Sequence, residues 1–188
     1  MRIAVKGTSG AGKTTLARRI SVLLGIRHVE LDALNWGPHW LDLSHADPAE
    51  FRRRVDEATA AAQWVSCGGY SVMNELVLGR ATHLVWLDYS RARVMRRVIG
   101  RSVLRAISRQ ELWPGTGNLE LVSRWLDPEH PSRSAWTTWA RNRERCAGIM
   151  AAGDFAPLRV ERIKTPGEIP ALLDRLVQAY EHAGPASV

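Results

Sequence analysis

The chain has 188 residues, 45% of them hydrophobic, and this suits a single domain with a substantial core. A run of about 18 uninterrupted apolar residues is absent, which excludes a membrane-spanning helix. The two cysteines, Cys67 and Cys146, and the six histidines lack metal-site spacing, so we expect a reduced cytoplasmic protein without a disulfide, a zinc site or a signal peptide.

The formal net charge of +7 comes from 23 arginines and only 3 lysines, and it is unevenly distributed. Seven arginines and no acidic residue lie between Tyr89 and Gln110. A basic surface of this kind attracts polyanions, which include nucleotides, phosphorylated metabolites and nucleic acids.

A glycine-rich loop stands between a predicted strand, residues 2–6, and a predicted helix, residues 13–24. This order fits a phosphate-binding loop, in which backbone amides and the helix N-terminus face a polyphosphate. Lys13 would neutralise the β- and γ-phosphates, and the Thr14 hydroxyl would bind Mg²⁺. The alternative is a glycine-rich turn with an incidental lysine. The predicted nucleotide-binding residues are Gly7, Thr8, Ser9, Gly10, Ala11, Gly12, Lys13, Thr14 and Thr15.

The remaining elements alternate between apolar strands and amphipathic helices, which predicts an α/β fold with a parallel sheet covered on both faces. Helix starts are marked at Asp47 and Thr165, since each is followed by proline and then by a capping-box glutamate. The further predicted strands cover residues 27–31, 63–67, 83–88 and 158–163, the further helices residues 90–109 and 134–150, the flexible loop residues 113–118 and the disordered tail residues 184–188. These elements make one domain, residues 1–183.

The order of strand, phosphate loop, helix and second strand, continuing into Glu30-Leu31-Asp32-Ala33-Leu34-Asn35-Trp36, resembles small kinases of the adenylate and shikimate kinase group. Gly68-Gly69-Tyr70, Val85-Trp86-Leu87-Asp88 and Glu111-Leu112-Trp113 resemble more narrowly the bacterial adenylate kinase-related, or DNA topology modulation, proteins. The resemblance implies a three-layer P-loop NTPase/kinase fold with a five-stranded parallel sheet, an acceptor region near residues 32–62 and an arginine-rich lid near residues 100–130. It also implies that ATP, Mg²⁺ and a small-molecule acceptor bind.

The resemblance implies that Asp32 orients an acceptor or serves the metal, whereas the alternative is an aspartate that caps a helix or turn. Trp36, next to His39 and Trp40, would wall the acceptor pocket or pack in the core. The predicted acceptor-binding residues are Asp32, Trp36, Gly68, Gly69 and Tyr70, and the predicted metal ligands are Thr14 and Asp32.

The third strand departs from the family pattern, because Cys67 stands where related proteins commonly have aspartate. Cysteine is a poor ligand for Mg²⁺, which prefers hard oxygen donors. Either Asp32, Thr14 and water complete the metal shell, or efficient catalysis has been lost. Asp88 is another carboxylate on this sheet edge, or the acidic start of the next helix.

Arg93, Arg97, Arg101, Arg105 and Arg109 recur at a spacing of four, so neighbouring members share a helical face. The resemblance implies that Arg101 and Arg105 reach the phosphates as catalytic residues together with Lys13 and Asp32, and the alternative is a solvated basic face. Two further arginine groups could bind an anionic ligand, and the alternative for both is a structural or solvent-exposed role. They are Arg141, Arg143 and Arg145, and Arg52, Arg53 and Arg54.

The preferred interpretation is an ATP-dependent phosphotransferase that moves the γ-phosphoryl group to a nucleoside monophosphate or a hydroxylated metabolite. The alternative is an ATP-binding regulatory protein with weak ATPase activity that binds nucleic acid. The sequence assigns neither the acceptor nor the oligomeric state.

Overall fold

The computed structural model describes residues 1–108, 111–119, 131–153, 155 and 157–182. Within these residues five strands form one parallel sheet in the order β2-β3-β1-β4-β5. The strands are β1 Arg2–Gly7, β2 Arg27–Glu30, β3 Trp64–Cys67, β4 His83–Leu87 and β5 Arg159–Ile163. The predicted fold class and all five predicted strands are confirmed. Arg109 and the predicted tail lie outside the described residues.

The α-helices of the described residues cover both faces of the sheet. They are α1 Lys13–Leu24, α2 Leu31–Asn35, α3 Leu43–Ala46, α4 Pro48–Ala58, α5 Asn74–Arg80, α6 Arg91–Ser108, α7 Pro131–Ala152 and α8 Ile169–His182. None of these helices is long and apolar enough to span a membrane.

Alternation along the central strand β1 divides the core into two clusters. Ile3 and Val5 point to one face, where they join residues of α1, α6 and α8. Ala4 points to the other face and joins α4 and α5, with Phe51 fully buried there. The sheet is thus apolar on both faces, as expected for a parallel sheet covered by helices.

The helix start at Thr165 has the predicted capping box, in which the Glu168 carboxylate accepts from the Thr165 amide. At Asp47 only one of the two hydrogen bonds of the predicted capping box forms. The Asp47 side chain accepts from the Glu50 amide, but the Glu50 carboxylate pairs with arginines of the next turn instead of returning to the cap.

The second strand ends one residue earlier than predicted, because Leu31 already begins the short helix α2. Asp32 therefore lies in the first turn of a helix, just beyond the carboxyl edge of the sheet. Helix α5 was not predicted from the sequence, and its N-cap residue Met73 makes no side-chain cap hydrogen bond.

Candidate active site

Helix α6 packs directly on the phosphate loop. Gly12 has a φ of 95°, and a Cβ at this position would lie 2.6 Å from Arg97 Nη2. A side chain at residue 12 would meet both a disfavoured backbone conformation and the guanidinium of Arg97. Arg97 therefore lies beside the loop that the sequence assigned to nucleotide binding.

Lys13 lies at the start of α1, next to the loop backbone. Its Nζ donates to the Thr8 carbonyl over 3.2 Å. Burial lowers the pKa of Lys13, while the nearby Asp32 carboxylate opposes this change and Arg101 adds to it. Lys13, Asp32 and Arg101 are thus close enough to interact electrostatically, as a site for an anionic ligand requires.

Asp32 is half-buried and lies close to the loop lysine. Burial raises the pKa of the Asp32 carboxyl, and Lys13 together with a hydrogen bond from Tyr70 opposes the increase. Burial and the Asp32 charge raise the pKa of the Tyr70 hydroxyl. The phenol therefore stays protonated and can donate to the Asp32 carboxylate. Two of the predicted acceptor residues are in this way brought together.

The carboxyl ends of β2 and β3 bring a carboxylate to Thr14 that the sequence analysis did not assign. Glu30 pairs in register with Cys67, and its Oε1 accepts a hydrogen bond from the Thr14 hydroxyl over 3.3 Å. The Cys67 thiol in turn donates to Thr14 Oγ1 over 3.7 Å. Burial raises the pKa of Cys67 to about 12, so the thiol stays protonated. The signal that could have identified Glu30 is an acidic residue at the last position of a parallel strand.

These donors suit Mg²⁺, which binds through one or two carboxylates, a hydroxyl, water and substrate phosphates. The Thr14 hydroxyl and the Glu30 carboxylate are hard oxygen donors in contact with each other. The Cys67 sulfur is a poor ligand for this ion. The described residues hold no cluster of three or more His, Cys, Asp or Glu side chains that would form an all-protein metal site.

The arginines of α6 do not all share one environment. Each step of four residues turns about 40° beyond a full rotation, so the series winds around the helix. Arg93 and Arg97 are exposed, whereas Arg101 and Arg105 are half-buried. Arg101 acts on the pKa of both Lys13 and Asp32, which puts it on the inner side of the helix.

Gly68 begins the loop that carries the other predicted acceptor residues. It has a φ of 151°, and a Cβ there would lie 2.6 Å from the Leu31 Cβ, so the loop passes directly over α2. Lys6, which is only 6% exposed, donates to the Gly68 carbonyl over 3.4 Å and to Asn74 Oδ1 over 2.9 Å. The sequence analysis missed Lys6, because a lysine within an apolar strand gave no signal of its partners.

Trp36 is half-buried and stands one helical turn after Asp32, with its amide bonded to the Asp32 carbonyl over 3.0 Å. It belongs to an aromatic cluster with Trp40 and Trp113. The predicted pocket wall thus consists of indoles that contact one another, with Trp113 contributed by the segment after α6.

Asp88 is engaged in ion pairs within the protein. Its side chain is only 4% exposed and is ion-paired with Arg143 of α7 at 2.9 Å and with Arg162 of β5 at 2.6 Å. The carboxylate therefore connects a helix to the outer strand. Arg145 takes a different direction and donates to the Ser71 hydroxyl over 3.4 Å.

Arg53 and Arg54 of α4 are likewise engaged within the protein. Arg53 pairs with Glu50 and Glu57, and Arg54 pairs with Glu50 and donates to the Leu34 carbonyl over 3.4 Å. These contacts hold the outer surface of α4 together.

The chain was compared with known proteins. No protein-family model matches it. A shikimate kinase of Mycobacterium leprae (strain TN) is 33% identical over 108 residues, which are 52% of this chain and 54% of that protein. The chain thus spans about half the length of the curated relative that it matches.

Solved kinases share the fold over nearly the whole chain. A shikimate kinase from Acinetobacter baumannii in complex with shikimate has a TM-score of 0.56 at 20% identity and covers 97% of this chain and 94% of its own. A gluconokinase from Sinorhizobium meliloti 1021 has a TM-score of 0.52 at 16% identity, with coverages of 98% and 97%. The chain therefore has the fold of these small kinases.

Proposed function

We propose that this protein is an ATP-dependent kinase that transfers the γ-phosphoryl group to a hydroxyl of a small molecule. The observation that carries the proposal is that the Asp32 carboxylate and Lys13 of the phosphate loop are close enough to change each other's pKa. A carboxylate that can orient an alcohol and a lysine that can neutralise a phosphate are the two groups that this reaction needs at one point. Similarity to a curated shikimate kinase supports the same reaction class.

The phosphate loop supplies the nucleotide site. Residues 7–15 would hold the polyphosphate through backbone amides at the start of α1, and Lys13 would approach the transferred phosphoryl group. Arg97, which contacts Gly12, and Arg101, which faces Lys13, would neutralise further negative charge. Arg105 is half-buried one turn beyond Arg101 and would extend this basic side of α6.

Mg²⁺ would be held by the Thr14 hydroxyl, directly or through water by Glu30, and on its other side by the nucleotide. The sequence prediction named Asp32 as a ligand, but the contact between Thr14 and Glu30 makes Glu30 the better candidate. The ion supplies charge neutralisation for the phosphates when it is bound. Asp32 is then left for the acceptor.

Asp32 would accept a hydrogen bond from the acceptor hydroxyl and take its proton as the phosphoryl group transfers. Burial raises the pKa of Asp32, which makes the carboxylate a stronger base than an exposed aspartate. The hydrogen bond from Tyr70 would keep one carboxylate oxygen turned away, so that the other oxygen points to the hydroxyl. Gly68 and Gly69 lead into Tyr70 and would form the floor beside it.

The contacts on α4 favour a hydroxylated metabolite over a nucleoside monophosphate. A monophosphate needs cations beyond those that bind ATP, yet Arg53 and Arg54 already pair with Glu50. Trp36 directly follows α2, with its amide bonded to the Asp32 carbonyl, and would instead present an indole to the acceptor. The relatives named as shikimate kinase and gluconokinase point to acceptors of the same chemistry.

A transfer assay would test the proposal. ATP labelled in the γ-phosphate is incubated at one magnesium concentration with shikimate, gluconate, other polyhydroxylated acids and nucleoside monophosphates. We expect transfer to a hydroxylated acceptor above the rate of ATP hydrolysis. Asp32→Asn should reduce this transfer by about a thousandfold while ATP affinity stays within about twofold, because the carboxylate acts on the acceptor alone.

Lys13→Ala is the companion variant, because it should weaken ATP binding where Asp32→Asn does not. If Lys13→Ala binds ATP as well as the original protein, the nucleotide site is wrongly assigned. Bound ATP without transfer to any acceptor, together with nucleic-acid binding that falls steeply between two salt concentrations, would favour the regulatory alternative.

A further inference from the structure

A fully buried asparagine connects two segments that are far apart in sequence. Asn118 is only 1% exposed to solvent. Its Oδ1 accepts from the Trp40 amide over 2.9 Å, and its Nδ2 donates to the Gly37 carbonyl over 2.9 Å. A primary amide has one acceptor and a pair of donor hydrogens, so it can satisfy both groups as a neighbouring peptide would. We name this pair of hydrogen bonds the Asn118 bridge.

The Asn118 bridge bonds to the loop of residues 36–42. This loop is closed by backbone hydrogen bonds but contains disfavoured backbone conformations. Trp36 and Asp42 form an antiparallel bridge, and the Gly37 amide donates to the Leu41 carbonyl over 2.9 Å. Between these closures His39 and Trp40 have φ values of 56° and 61°. Consecutive left-handed residues with side chains are disfavoured, so such a loop needs contacts from outside itself to persist.

The segment that provides the bridge, residues 111–119, is itself folded back into a turn. We call it the lid segment. The Leu112 amide donates to the Asn118 carbonyl over 3.0 Å, and the Glu111 carboxylate accepts from the Gly117 amide. The Thr116 hydroxyl donates to the Trp113 carbonyl over 2.7 Å. Because the turn is closed at both ends, Asn118 and Trp113 are presented together to the loop.

Ring contacts strengthen the same connection. Trp113 stacks on Trp36 with ring centroids 6.0 Å apart and an interplanar angle of 19°, and it meets Trp40 edge to face at 6.0 Å. Trp36 follows α2 directly, and its amide bonds to the Asp32 carbonyl. A continuous set of contacts therefore runs from the lid segment through Trp36 to the residue that we assign to the acceptor.

We propose that Asn118 is a positioning residue that joins the lid segment and residues 36–42 into one unit, so that the lid segment sets the position of Trp36 and of the acceptor wall. Asn118 acts through Trp40 and Gly37 and does not touch reacting atoms. In this arrangement the lid segment cannot leave the acceptor side without releasing the loop. The significance of this link for catalysis rests on the proposed function, but the link itself can be measured without turnover.

Hydrogen exchange followed by mass spectrometry on the full chain tests the link. We expect Asn118→Ala to speed the exchange of amides in residues 36–42 by at least about tenfold, because the loop loses the two hydrogen bonds of the Asn118 bridge. Exchange in α4 should stay unchanged. Asn142→Ala is the matched control, since the Asn142 side chain donates within α7 to the Thr138 hydroxyl, away from residues 36–42. It should leave residues 36–42 as they are.

A second variant separates the bridge from the ring contacts and remains informative if Asn118→Ala folds poorly. Trp113→Phe keeps an aromatic ring and the Asn118 bridge, so we expect it to lose the near-ultraviolet circular dichroism of the stacked indoles while residues 36–42 keep their protection. If Trp113→Phe removes the protection and Asn118→Ala does not, the assignment to Asn118 is overturned. Unchanged exchange in both variants overturns the link as well. Failure of the transfer assay would refute the proposed function and leave these results standing.

Discussion

The Thr14 hydroxyl donates a hydrogen bond to the Glu30 carboxylate, although the two residues lie on different elements of the fold. Thr14 lies in the first turn of α1 and Glu30 ends β2. We expect Glu30→Gln to raise the magnesium concentration needed for half-maximal activity by about tenfold, because the neutral amide attracts the cation less. Titrating activity, or ATP affinity, against Mg²⁺ measures this change.

Glu161→Gln serves as the control for the magnesium titration, since Glu161 lies on the far strand β5 and pairs with Arg175 of α8. It should show the original magnesium dependence. If Glu30→Gln also behaves like the original protein, Glu30 takes no part in holding the ion.

The winding of the arginine series predicts different effects along α6. Arg101→Ala should lower turnover by about a hundredfold, because Arg101 is half-buried and its charge acts on Lys13 and Asp32. Arg93→Ala removes an exposed arginine two turns earlier and should change turnover by less than about twofold. Urea unfolding of both variants separates catalysis from stability, and equal losses of turnover would contradict the assignment.

Lys6 predicts a dependence of stability on pH. Burial lowers its pKa to about 8, whereas the unfolded chain has an ordinary lysine pKa near 10.5. Between these two values the unfolded state binds one proton more than the folded state, so the contribution of Lys6 to stability rises with pH. The gain reaches roughly 3 kcal/mol by pH 10.5 and is lost as the pH falls through 8.

Lys6→Met keeps the length of the side chain without the titrating group, and it should remove this rise. The measurement is the free energy of unfolding in urea at pH 7, 8, 9 and 10 for both proteins. Parallel curves would show that Lys6 does not titrate in this range.

Replacing Asp88 should lower the stability of the protein without lowering its rate of phosphoryl transfer. Asp88→Asn should lower the free energy of unfolding by about 1 to 3 kcal/mol, because a nearly buried carboxylate loses its charge-assisted bonds to Arg143 and Arg162. The partners are 48% and 36% exposed, which keeps the effect below that of a fully buried pair. Glu57→Gln, at an exposed ion pair, should leave the urea midpoint unchanged.

The sheet and the phosphate loop could be predicted because their signals are local. A strand, a glycine-rich loop and an amphipathic helix follow one another without interruption, and α1 has the predicted bounds, Lys13–Leu24. The capping box at Thr165 is also a local pattern, and it was predicted correctly. The comparisons support the broader resemblance to P-loop kinases, while the narrower resemblance to adenylate kinase-related proteins stays a prediction.

The contacts of the site were harder to predict, because they join segments that the sequence separates. Asn118 bonds to Gly37 across 81 positions, and no spacing rule connects them. The missing aspartate at position 67 directed attention to Asp32, whereas the register between β2 and β3 puts Glu30 beside Cys67. Spacing alone predicted that neighbouring arginines of the series share a face, and the structure adds that Arg93 and Arg97 are exposed whereas Arg101 and Arg105 are half-buried.

The double ion pair of Asp88 has a consequence for movement. Because Arg143 of α7 and Arg162 of β5 both pair with the Asp88 carboxylate, these ion pairs join α7 to the edge strand of the sheet. Separation of α7 from β5 would therefore break both ion pairs at once and leave the nearly buried Asp88 carboxylate without them.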